Sequence, residues 1–96
     1  MTLNEALVKA TMDSQEYSRY MLQMSIHSSR DRIGQLRNRI RTEESKRKQL
    51  EAIKEPNLLT QQQIMNCQNL LKGLRMKYQR ETAFLDDQKR KLAMIN

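Results

Sequence analysis

The residues best equipped for chemistry lie in RDRIGQLRNRIR, residues 30–41, where five arginines surround Ile33, Leu36 and Ile40. Guanidinium groups bind phosphates and carboxylates, so this stretch suits nucleic acid, an acidic protein surface or the flank of a coiled coil. Other reactive types are scattered. His27 stands alone, and a metal centre needs several ligands. Cys67 has no base placed beside it and reads as a small buried apolar residue. Glu51 and Glu55 form an i, i+4 acidic pair, but Lys54 lies beside them. Asp86 and Asp87 soften a basic face. There is no glycine-rich phosphate loop and no Ser/His/Asp set, so the reading is a non-enzyme with no catalytic residues, no cofactor and no metal.

The charge is uneven as well as large. The chain carries +7, with net −1 in residues 1–29, +4 in 30–56 and +4 in 57–96. A field of this sign favours acidic proteins, nucleic acid or anionic membranes. No apolar run reaches the roughly 18–20 residues of a membrane span. The opening MTLNEALVKA lacks the basic-then-apolar pattern of a signal peptide. With a single cysteine as well, the expected location is the cytoplasm.

These side chains must be positioned by helices. Ninety-six residues with two glycines and one proline leave little material for turns. The apolar residues recur with helical period. Thr2 and Glu5 match a capping box, which starts helix 1 near residue 3. Gly34 weakens that helix without ending it, and Pro56 stops it near Lys54 or Glu55. In EPNLLTQQQI, Thr60 and Gln63 match a second capping box, with Leu59 and Ile64 as its hydrophobic staple. The expectation is an all-α, antiparallel two-helix coiled-coil hairpin: helix 1 about 3–55, turn 56–59, helix 2 about 60–95. It forms one domain over 1–96.

A heptad register supports the pairing. On helix 2, Ile64, Leu71, Tyr78, Leu85 and Leu92 occupy a, with Cys67, Leu74, Glu81, Gln88 and Ile95 at d. On helix 1, Ile26, Ile33 and Ile40 occupy a, with Leu22, Leu36 and Leu50 at d, and Ser29, Glu43 and Arg47 interrupt the seam. Antiparallel pairing sets Ile33 against Leu85, Ile26 against Leu92 and Leu50 against Cys67. It also sets Ser29 against Gln88, a polar layer meeting a polar layer. Residues 41–49 hold no apolar side chain and are expected to pack loosely. Helix 1, near 80 Å, outruns helix 2, near 54 Å, at about 1.5 Å per residue. Residues 1–20 then overhang as an amphipathic extension whose stripe includes Leu3, Leu7, Tyr17 and Met21. Such a stripe wants a second copy of the chain, giving a helical bundle, or another protein.

In this register Arg30 and Arg37 fall at e, and Arg32 and Arg39 at g. One reading has them snorkel over the seam and pair across it. Yet e faces e and g faces g in an antiparallel pair, so Arg30 meets Lys89 and Arg39 meets Lys77, and only Glu44 with Arg75 attracts. The g side also carries Leu70 and Phe84 on helix 2 and Lys46 on helix 1. Either these two apolar residues widen the core, or they floor a basic-edged groove for an acidic amphipathic helix. Nucleic acid read by shape is the alternative, although no recognition motif is present.

The stretch LTQQQIMNCQNLLKGLRMKYQRETAFLDDQKRKL resembles the second long helix of the coiled-coil central-stalk proteins of flagellar and type III secretion export ATPases. RTEESKRKQLEAIKEPN would form their hairpin tip. The resemblance spans about residues 26–96 and rests on pattern. It implies a stalk whose terminal end enters an ATPase ring while the hairpin end reaches toward the export gate. A small secretion chaperone wrapping another subunit's helix would show the same features.

Overall fold

The computed structural model describes residues 13–95. Two helices, α1 (Ser14–Glu51) and α2 (Leu58–Met94), pack against one another as a hairpin 66 Å long. The pairing is antiparallel: Arg32 meets Glu81 while Glu44, farther along α1, meets Arg75, earlier on α2. No strand occurs among the described residues, and none of their helices is long and apolar enough to cross a membrane.

The seam follows the heptad. Nine described residues are buried: Ile26, Ser29, Ile33, Thr60, Cys67, Leu71, Leu74, Leu85 and Gln88. Every one occupies an a or d position. Ile26, Ile33 and Leu85 form one cluster, against which Tyr78 and Leu92 pack. The expected polar layer is present, with Ser29 fully buried and Gln88 nearly so. Cys67, expected opposite Leu50, donates its thiol hydrogen to Glu43 Oε2 at 3.7 Å. Glu43 lies seven residues, about 10 Å, from Leu50 along α1.

Three expectations need correction. Helix 1 does not run unbroken from residue 3, because Asp13 has extended backbone and caps α1. Its Oδ1 accepts the Glu16 N–H at 2.7 Å, so DSQE is the start signal that the periodicity obscured. The Thr2–Glu5 box, with Leu3 and Leu7, lies outside the described residues. At the corner, α1 ends at Glu51 and not at Lys54 or Glu55. The Ala52 N–H still reaches Lys48 O, and Ile53 N–H tightens onto Leu50 O. Finally, Asn57 caps α2 in place of Thr60. Asn57 Oδ1 accepts from both the backbone N–H and the hydroxyl of Thr60, at 2.8 and 2.9 Å. Thr60 thereby becomes a buried d residue. Leu59 lies inside the first turn of α2 and is 62% exposed, so it staples nothing. The connection therefore spans 52–57, where the expectation was 56–59.

Residues 41–49 do not leave the seam open, contrary to expectation. Leu71 and Leu74 on α2 are 1% and 2% exposed. The seam positions of α1 in this stretch are the half-buried Glu43 and Arg47, whose alkyl stems replace apolar residues as cover.

Two substitutions test the local account. Asn57→Ala should lower the unfolding free energy by about 1 kcal/mol, since it removes the acceptor of the α2 cap. Gly73→Ala should raise it by about 1 kcal/mol through helix propensity, because an added Cβ meets nothing within 4 Å. Urea denaturation followed by circular dichroism measures both.

Candidate functional site

Helical pitch brings one face of each helix to the g side of the seam. There Arg32, Gln35, Leu36 and Arg39 of α1 and Lys77, Arg80, Glu81 and Phe84 of α2 line a groove of about 570 Å³. Leu36 is half-buried at its floor, and Phe84 remains 43% exposed. Phe84 is thus no part of the core between the two helices.

The charges around this floor are in different states. Arg32 Nε donates to Glu81 Oε1 at 3.0 Å, and its Nη2 donates to the buried Ser29 Oγ at 3.1 Å. This bridge links the helices, so Glu44–Arg75 is not the sole attractive pair across the seam. Glu81 Oε2 is buried without a hydrogen-bond partner. Arg39, Lys77 and Arg80 make no ion pair or hydrogen bond with any described residue. Three free cations therefore ring one exposed aromatic side chain.

The structure separates other residues expected to share this groove. Lys46 and Leu70 line a smaller hollow nearer the corner, with Glu43, Gln63, Asn66 and Cys67. Arg75 donates from Nη2 to Glu44 Oε1 at 2.6 Å. Arg30 and Lys89 share a third hollow with Gln23, Ile26, His27, Leu92 and Ala93, which agrees with their expected apposition. Arg37 Nη2 donates to the Tyr78 hydroxyl at 3.3 Å, capping a seam residue as the snorkelling reading expects. In the overhang stripe, Tyr17 is half-buried and Met21 is 39% exposed.

Four groove residues were not expected there: Gln35 and Arg80, and the seam residues Leu36 and Glu81. Gln35 and Arg80 occupy c, the position beside g, so a stripe drawn through g and c together would have found them. The heptad places Glu81 at d without a partner, because its partner Arg32 lies on the other helix. His27 lies 3.7 Å from Asp31 on the exposed face. Among the described residues, no three His, Cys, Asp or Glu side chains converge to hold a metal ion.

Glu44 is a carboxylate whose titration its neighbours shift. The hydrogen bond from Arg75 holds its pKa below the ordinary 4.5, against a desolvation cost and with further help from the charges of Arg75, Arg47 and Lys48. No family model, curated protein or solved structure matches this chain.

A depressed folded-state pKa means that the unfolded chain binds the proton more readily. The Glu44–Arg75 contribution is therefore present above pH 4.5 and is lost as pH falls through the lower folded value. Glu44→Gln should be less stable than the parent at pH 7, and the gap should close under acid. Denaturation at pH 7 and near pH 3 checks the sign.

Proposed function

We propose that this chain is a non-enzymatic coiled-coil adaptor, stalk or chaperone that works in the cytoplasm. Its basic groove receives an acidic or amphipathic helical surface belonging to a larger assembly. The observation that carries this reading is the ring of Arg39, Lys77 and Arg80 around the exposed Phe84. A side chain of this size held against water contributes roughly 1.5–3 kcal/mol when a partner covers it. Unpaired cations at the rim add specificity and speed of encounter. The pattern shared with export-ATPase stalks makes a secretion or export apparatus the assembly to search first. Met21 and Tyr17, together with Leu3 and Leu7 beyond the described residues, offer a second contact stripe for another subunit or a second copy.

A nucleic-acid reading is favoured by one observation. Arg30, Arg39 and Arg41 project from α1 without an ion-pair partner among the described residues. Such a rod would bind RNA or DNA by shape, with affinity falling steeply as salt rises.

The test is a pull-down from the native host with the parent chain and Phe84→Asp, each with and without nuclease. A stoichiometric protein that survives nuclease and disappears with Phe84→Asp supports the adaptor. The variant should keep the helical circular-dichroism signal, because Phe84 lies outside the two-helix core. If everything recovered vanishes with nuclease, the arginines hold phosphates and the adaptor reading fails.

A further inference from the structure

The cations along the groove are not evenly available. Take Phe84 and Leu36 as its middle. Toward the corner, Arg80 lies four residues from Phe84 and Lys77 seven, about 6 and 10 Å along α2. Arg39 lies one turn beyond Leu36 in the same direction. None of these three has an acid partner among the described residues. Away from the corner, the cations on this side of the seam are already paired: Arg32 with Glu81 at 3.0 Å, and Lys91 with Asp87 at 3.1 Å, while Arg30 and Lys89 sit in the separate hollow across it. The groove therefore carries an apolar middle, a strongly positive half and a nearly neutral half.

We infer that the groove is directional. It takes an acidic amphipathic helix of a partner protein, with an apolar anchor over Phe84 and Leu36 and acids four and seven residues after that anchor. This deepens the docking reading above and rests on it. Acids at those offsets share one helix face with the anchor, so a single helix satisfies Arg80 and Lys77 together. The bound helix turns its C-terminus, the negative end of its dipole, toward the free cations, so it runs antiparallel to α2 and the acids that reach Arg80 and Lys77 follow the anchor. A second copy of this chain fits the site poorly. No apolar residue of its sequence is followed by acids both four and seven positions later, since the one pair of acids three apart, Asp13 and Glu16, follows Lys9. A nucleic-acid backbone needs positive charge along its whole track, and along the groove the half beyond Phe84 offers only the already paired Arg32 and Lys91.

The experiment uses the full chain and two fluorescein-labelled, alanine-based helical peptides of equal composition. One carries leucine with glutamates four and seven residues after it; the other places the glutamates before the leucine by the same steps. Fluorescence anisotropy reads binding to the parent, Lys77→Glu, Lys91→Glu and Phe84→Asp proteins, with helicity checked by circular dichroism. The forward peptide should bind several-fold more tightly than the reversed one. Lys77→Glu should weaken it about tenfold or more, as expected for reversal of a charge that faces the ligand. Lys91→Glu should leave it within about twofold, as expected where a rim charge is already neutralised. Phe84→Asp should abolish binding. Equal losses from Lys77→Glu and Lys91→Glu, with Phe84 still essential, would overturn the directionality and leave helix docking standing. Binding that ignores Phe84→Asp, or no binding of either peptide, overturns this proposal and the groove's docking role together.

Discussion

Two helices share one line of contact, and in this chain that line must hold the described fold together without help from a third element. Nine side chains are buried along it, and three of them are polar. A seam so narrow cannot tolerate many unsatisfied groups, because an unpaired buried polar atom costs about 1–3 kcal/mol. The hairpin meets this constraint with long side chains. Arg32 serves Ser29 on its own helix and crosses the interface to Glu81, and Arg37 caps Tyr78. Arg32 and Glu81 remain partly solvated, so their pairing adds little net stability. Their larger effect is on register, since a slip of one turn would leave both Glu81 carboxylate oxygens without a donor.

The same narrowness explains the groove. A two-helix core reaches the a and d positions and stops there. Larger apolar residues at g, such as Phe84, are left at the edge, where a compact domain would cover them with another layer. The two flanks then diverge. On the e side, Arg75 is held by Glu44 near the corner, and Arg30 and Lys89 meet at the far end with no exposed Phe, Tyr or Trp between them. On the g side, Arg39, Lys77 and Arg80 face the groove without a partner among the described residues. Like charges on facing helices oppose closure of the hairpin, and acids brought by a third helix would relieve that opposition.

The corner shows how small polar groups decide where a long helix stops. Pro56 excludes helical geometry from the residue before it, but α1 has already ended at Glu51. Asn57 is close enough to satisfy the first donors of α2, so the new helix begins at Leu58 and leaves six residues to reverse the chain. Asp13 does the same at the start of α1. At the corner the effective cap lies three residues from Thr60, the cap the capping-box pattern suggests. Competition among neighbouring Asn, Asp, Thr and Ser acceptors is settled by local backbone geometry.

The sequence by itself determined the architecture and the seam. One proline, few glycines and a seven-residue repeat admit little except a helical hairpin, and the repeat places eight of the nine buried residues, all but Thr60, because burial in a two-helix pair follows angular position on each helix. It also marked Arg32, Arg39, Lys77 and Phe84 for a common side. Only the tertiary structure decided which of those charges are free. Whether Arg32 is spent on Glu81, whether Arg75 is spent on Glu44, and whether Lys46 and Leu70 fall in a separate hollow all depend on where a flexible side chain ends across an interface. Heptad position sets where a side chain leaves the helix; the length and reach of its partner set where its charge comes to rest.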